Sequence, residues 1–230
     1  MKNRIIIQLT ALGALAATAS LSAQTILFQD DFSGTAGDPI SGSTPDITQS
    51  AQTWQGSNDW VFASSGGAEI VDQANATIYL DFTPQSGFRY ELEVDGISFA
   101  ANDSGNGFAL GFVGADGATI TANGAAANWF NSQGASPWVN PQPADSADNA
   151  RLSSLDNNFV GTFGSTPSSI VLELDTTGTD WVARAFADGS TTAFATHTYT
   201  GAIADIDGFG LGINGSIANT SDLTIDQITL

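Results

Sequence analysis

Four segments of this chain alternate apolar and polar residues with a period of two, and each is bounded by glycine, proline or asparagine. Residues 77–82 place Ile78, Leu80 and Phe82 on one face and Thr77, Tyr79 and Asp81 on the other. Residues 88–95 separate Tyr90, Leu92 and Val94 from Arg89, Glu91, Glu93 and Asp95. Residues 108–113 and 170–175 repeat the pattern, with Phe108, Leu110 and Phe112, and then Ile170, Leu172 and Leu174, facing inward. Successive side chains of a strand point to opposite faces of a sheet, so this period demands half-buried β-strands. The chain therefore reads as an antiparallel β protein with one face of each sheet buried.

The first residues read as a secretory signal peptide. Lys2 and Arg4 are basic, residues 5–19 are mostly apolar, and Leu21-Ser22-Ala23 ends on small residues. Gln8 and Thr10 interrupt the apolar run and turn-rich sequence follows it, which argues against a transmembrane anchor. Cleavage before Gln24 removes 23 of 230 residues and leaves 207, enough for one sizeable core, so residues 24–230 are expected to form a single domain. No later hydrophobic segment is long enough to span a membrane, so the exported chain is expected to be secreted or held at the cell surface, or in a periplasm. With no cysteine, the fold must stand on its core without disulfides, which suits an exported bacterial protein.

Both basic residues of the leader leave with it. The exported chain then carries three arginines and no lysine against 24 acidic residues, a net charge of −21. That field repels nucleic acid and anionic membranes and leaves few cations to grip phosphate. Twenty of the 24 acids are aspartates, a turn-favouring type, so much of the charge decorates loops and suits a saline medium.

Candidate strands run over 26–32, 60–62, 68–72, 76–82, 88–99, 107–113, 128–131, 159–163, 169–175, 181–187, 191–199, 206–213 and 223–230. Asp188-Gly189 is a two-residue hairpin signal, because both central positions of that turn need positive φ. Two long loops stand out at 33–53 and 132–149. About a dozen short strands at this spacing describe an all-β, two-sheet antiparallel sandwich or jelly roll.

A family resemblance enters on particular residues. Asp30-Asp31-Phe32-Ser33-Gly34 is followed by Gly42-Ser43-Thr44-Pro45-Asp46 and Trp54. Gly107-Phe108-Ala109-Leu110-Gly111-Phe112, Pro137-Trp138, residues 172–176 with Trp181, and the closing Ile225-Asp226-Gln227-Ile228-Thr229-Leu230 complete the set. In that order the chain resembles exported bacterial proteins of the concanavalin A-like lectin/glucanase type, of the laminin-G-like jelly-roll kind. Many such proteins carry a C-terminal Pro-Glu-Pro sorting signal, which these 230 residues do not show.

Catalysis has one candidate row. Glu91, Glu93 and Asp95 share a strand face at i, i+2 and i+4, and laminarinase-type hydrolases of the resembled fold use such a row as nucleophile and acid/base. Their usual order is Glu-x-Asp-x-Glu in an aromatic setting, whereas here Glu, Glu, Asp follows Ser86-Gly87-Phe88-Arg89. A solvated strand face partly neutralised by Arg89 is the plainer reading. His197 has no serine elbow to serve and is expected on the outer face of its strand, beside Thr196 and Thr198. One histidine and no cysteine give zinc nothing to hold, and no Gly-Lys-Ser/Thr phosphate loop is present.

Calcium has better chemistry. The apolar phase of residues 26–32 turns Asp30 inward with Phe28 and Phe32, and the phase of the last strand slips at Asp226-Gln227 as a β-bulge requires. A carboxylate aimed at a core must be hydrogen-bonded, protonated or bound to a cation. If the terminal strands pair, Asp30 or Asp31 with Asp226 would flank an oxygen-ligand site; the alternative is that backbone amides and Thr224 satisfy them. For binding, Trp129 and Trp138, with Asn140 nearby and Trp54 and Trp60 in support, offer the indole faces on which sugars stack, unless these rings plug the ends of the sandwich. Trp181 begins a strand and is read as core. Taken together, the chain is expected to bind an extracellular polysaccharide or cell-surface glycan without catalysis. A structural or adhesive surface protein is the alternative and a glycoside hydrolase the third reading.

Overall fold

The structure is a computed structural model that describes residues 24–71, 76–99, 107–114, 137–139, 167–202, 206–214 and 223–230. The leader, the candidate strands at 128–131 and 159–163, and Trp129 and Asn140 lie outside the described residues. Among the described residues every regular element is a strand: β1 Gln29–Asp30, β2 Gln55–Gly56, β3 Trp60–Phe62, β4 Ala68–Ile70, β5 Ala76–Asp81, β6 Arg89–Asp95, β7 Ser98–Phe99, β8 Gly107–Gly114, β9 Trp138–Val139, β10 Ser169–Asp175, β11 Val182–Ala187, β12 Ala195–Thr198, β13 Ile206–Asn214, β14 Leu223–Ile225 and β15 Gln227–Thr229. No helix among them is long and apolar enough to cross a membrane.

All pairings are antiparallel. One sheet runs β1-β15-β6-β10-β11-β12 and the other β2-β5-β13-β8-β9, while a short third sheet runs β3-β4-β14-β7. The inward phases read from sequence fill one core. Leu92 and Val94 meet Ile170, Leu172 and Leu174 in the first sheet, and Ile78 and Leu80 meet Phe108, Leu110, Phe112, Phe209 and Leu211 in the second. Trp181 is buried in that core as expected.

Two local readings are visible in detail. Asp188 and Gly189 both have positive φ, 51° and 69°, and Ser190 N–H closes the turn onto Ala187 C=O at 3.0 Å. The slip at Asp226 is where the last strand changes sheets: β14 pairs with β4 and β7, whereas β15 pairs with β1 and β6. The terminal strands do pair, with Gln29 opposite Thr229 and Asp30 opposite Ile228. His197 corrects its expectation. It lies opposite core-facing Ala183, in the inner phase of β12, with its ring 4.5 Å from and edge-on to that of Tyr199. Thr196 and Thr198 occupy the outer face. The two-residue strands β2 and β9 are too short to leave a periodic signal.

Candidate functional site

The two motifs at the start of the exported chain meet at Trp54. Asp30 is only 4% exposed; its Oδ1 accepts Phe32 N–H at 2.8 Å and its Oδ2 accepts the Trp54 indole N–H at 2.6 Å. The first bond holds Phe32 at φ 52°, a left-handed conformation that a bulky residue adopts only when its surroundings enforce it. Phe32 in turn packs against Trp54 with ring centroids 5.8 Å apart. Gly34 is required by packing, because a Cβ there would lie 2.5 Å from the Phe62 ring. From the second motif, Trp54 N–H donates to Ser43 C=O at 2.9 Å, and Asp46 Oδ2 accepts Asp31 N–H at 3.0 Å.

This corner gathers three carboxylates, Asp30, Asp31 and Asp46, whose nearest oxygens lie within 4.8 Å of one another. Burial pushes Asp30 up to about 6, against the pull of its two hydrogen bonds, and the charges of Asp46 and Asp31 add to the rise. Asp31 is held below the ordinary value by the Ser33 hydroxyl and N–H. The carboxylate beside Asp30 and Asp31 is that of Asp46. Asp226 sits at the sheet switch against Gly96, where a Cβ would come within 2.2 Å of the Asp226 carboxylate, and Asp46 takes its place. Both Asp30 oxygens already accept N–H donors, as the alternative to a cation requires, although the donors are Trp54 and Phe32 rather than Thr224. Oxygens this close are about as far apart as two ligands across one calcium ion, with its Ca–O distances of about 2.3–2.6 Å.

Glu91, Glu93 and Asp95 project from the outer face of the six-stranded sheet, away from the core. Directly across from Glu91 on β10 lies Glu173, and across from Glu93 and Asp95 lie Val171 and Ser169. Burial, then Asp95 and Glu91, raise the Glu93 carboxyl above its ordinary value. Arg89 does not neutralise this row. It reaches across to Asp175 at 3.1 Å and Glu173 at 3.6 Å, and Arg184 on β11 pairs with the same two carboxylates. The Thr177 hydroxyl and N–H, with the two arginines, hold Asp175 down to about 2. Glu173 and Asp175 were not singled out from sequence, yet the alternation of residues 170–175 already placed them on this outer phase.

The described tryptophans are buried. Trp138 is 0% exposed and Trp54 1%, and Trp60 is equally buried, so none presents an indole face to a sugar. Trp138 packs with Ala109 and Val113 on the far side of the five-stranded sheet, and its backbone lies so close to β8 that a Cβ on Gly111 would sit 2.6 Å from Trp138 Cα.

The exposed aromatic surface lies elsewhere, where the connection from β5 to β6 passes from one large sheet to the other. A cleft of about 280 Å³ opens there among Phe82, Phe88 and Tyr90, with Gln49, Ser50, Gln52, Asp81, Thr83 and Gln85 around them. Phe88 is 53% exposed, the most exposed of the large apolar side chains among the described residues. Its ring lies 6.1 Å from that of Tyr90, which lies edge-on to Phe82 at 5.1 Å; Phe82 continues to Phe209 and Phe112 in the core. The turn carrying Phe88 is clamped by buried Thr176. Its Oγ1 accepts Phe88 N–H at 3.0 Å and lies 2.7 Å from Gln85 C=O, and its backbone N–H and C=O bond Phe88 C=O and Gly87 N–H, each at 2.8 Å. Tyr90 Oη accepts Gln85 N–H at 2.9 Å. Sequence reasoning took Tyr90 for core and passed over Phe88. The signal available was an aromatic next to a Pro84–Gly87 turn, placed before a strand whose inward phase begins at residue 90.

No protein-family model matches the chain, and no curated protein matches it. Solved structures do. A putative beta-glucanase from Mycobacterium abscessus superimposes with a TM-score of 0.50 at 11% identity, covering 89% of this chain and 99% of that one. The carbohydrate recognition domain of Emp47p gives 0.49 at 12% identity, over 84% and 91% of the two chains. The Ca2+-bound exoplasmic/lumenal domain of VIP36 gives 0.48 at 10% identity, over 84% and 87%. At such identities the likeness is one of fold: the chain is an all-β, antiparallel two-sheet sandwich, a jelly roll of the concanavalin A-like kind.

Proposed function

We propose that this is an exported, non-catalytic β-sandwich that binds an extracellular polysaccharide through the cleft at the β5–β6 connection. One observation carries the reading: Phe88 stands half in solvent on a turn held by hydrogen bonds to Thr176 and Tyr90, beside a wall of amides and hydroxyls. A sugar ring sets its apolar face on an aromatic and spends its hydroxyls on such polar groups, and a surface already rigid loses little entropy on binding. The likeness to a putative beta-glucanase is in keeping with this reading at the level of fold. The test is retention of residues 24–230 on insoluble polysaccharides, with reducing ends measured in the same incubations. Retention without new reducing ends is expected. Reducing ends abolished by Glu91→Gln or Glu93→Gln would replace it with the hydrolase reading, and retention by nothing would favour a structural or adhesive surface protein.

A second reading concerns the acidic corner. Three carboxylate oxygens within 4.8 Å form a hard-oxygen set suited to calcium, and binding would offset the burial that raises Asp30 and the smaller repulsion from Asp46 and Asp31. After chelation, added calcium is expected to raise the melting temperature where sodium at matched ionic strength does not. At a hundredfold excess over the dissociation constant the gain is about 2.7 kcal/mol. Asp46→Asn should remove the effect and Asp226→Asn should not; equal stabilisation by sodium would mean screening alone.

A further inference from the structure

Resting on the polysaccharide reading, the chemistry of the cleft wall narrows the ligand. Asp81 is the only charged side chain among its described lining residues, and it is an acid. Its carboxylate accepts a hydrogen bond from Gln55 Nε2 at 2.9 Å and retains free lone pairs. Gln52 donates through Nε2 to Asp81 C=O at 3.0 Å, which fixes the orientation of its amide and leaves Oε1 buried without a hydrogen-bond partner. The wall thus offers amide and hydroxyl groups that donate and accept, one carboxylate and, among the described residues, no cation.

The described cations that would offset this are committed elsewhere. The exported chain has three arginines and no lysine. Arg89 and Arg184 both lie on the outer face of the six-stranded sheet, tied to Glu173 and Asp175, and Arg151 lies outside the described residues. Arg89 is in sequence between two cleft residues, Phe88 and Tyr90, but the strand alternation turns it to the opposite face.

We propose that the cleft takes an uncharged polysaccharide with free hydroxyls, and that it excludes sulfated and uronate-bearing polymers because its one described charge is the Asp81 carboxylate and no described cation faces it. A free sugar hydroxyl both donates and accepts, so it can meet Asp81 and the amides and hydroxyls around it. A sulfate or carboxylate only accepts, and would be desolvated beside the Asp81 carboxylate with no described cation to meet it. Repulsion from a net charge of −21 acts in the same direction but is screened by salt, whereas the cost of desolvating an unpaired anion beside Asp81 is screened much less.

The experiment uses laminarin, lichenan and agarose as neutral probes and alginate and carrageenan as anionic ones, each at low salt and at about 0.5 M sodium chloride, where the screening length is only a few Å. Retention by at least one neutral polymer at both salts is expected, with none by either anionic polymer at either salt. Phe88→Ala should weaken the neutral interaction about tenfold with an unchanged melting temperature, because that ring is largely exposed. Retention by alginate or carrageenan that Phe88→Ala abolishes would overturn the neutral assignment and leave glycan binding at the cleft intact. Neutral retention indifferent to Phe88→Ala would overturn the assignment to this cleft. Retention by no polymer would overturn this inference together with the reading beneath it.

Discussion

Replacing Asp30 by asparagine tests the acidic corner. The carboxyl rises from 3.8 to about 6 on folding, so between those values the folded chain binds a proton that the unfolded chain has released. Stability therefore falls as pH rises from about 4 through 6 and levels off above. At about 1.4 kcal/mol for each tenfold change in proton affinity, the full effect is about 3 kcal/mol. Other groups titrate nearby: Asp175, Asp31 and Asp188, all held below their ordinary values, act in the opposite sense at lower pH, where their contribution is lost as they protonate. Release of self-repulsion among the acids acts in the same sense as Asp30. Comparing the parent with Asp30→Asn cancels these shared terms. Asparagine has one acceptor oxygen, so it cannot accept from both Phe32 N–H and Trp54 Nε1–H, and this costs about 1–3 kcal/mol that does not vary with pH. Urea unfolding in a chelator at fixed ionic strength should show the parent's advantage over Asp30→Asn shrinking by about 2 kcal/mol from pH 4.5 to 7.5. Parallel stability curves across that range would refute a buried, proton-binding Asp30.

Two further outcomes are expected. Trp138→Ala, which removes a 0% exposed indole from its packing on Ala109 and Val113, should cost about 3–5 kcal/mol in urea unfolding; unchanged stability would mean the ring is not packed as described. Thr176→Val keeps the volume but deprives Phe88 N–H and Gln85 C=O of their hydroxyl partner. It should cost about 1–3 kcal/mol and weaken polysaccharide retention beyond what a loss of stability alone explains, measured with the folded fraction held constant.

The sequence alone determined what depends on near neighbours along the chain. The alternation of residues 169–175 marks β10 residue for residue, Asp188-Gly189 marks a turn whose two central φ values are positive, and the slip at Asp226 marks the change of sheet. Each is a local rule, a side-chain period or a backbone preference, that any surroundings would leave readable. What the tertiary structure decided is which outward-facing groups meet. Trp138 is buried because Gly111 lets β9 lie against β8, and nothing within β9 distinguishes a packed indole from an exposed one. Arg89 turns to β10 and not along its own row because Asp175 stands opposite it in register. Asp46, rather than Asp226, joins Asp30 and Asp31 because Trp54 draws residues 42–46 onto the start of the chain. The cleft draws its wall from residues 27–28, 49–52 and 81–90, segments brought together only when β5 and β6 enter different sheets. Contacts between segments that far apart follow from the closure of the whole core, which no local pattern encodes.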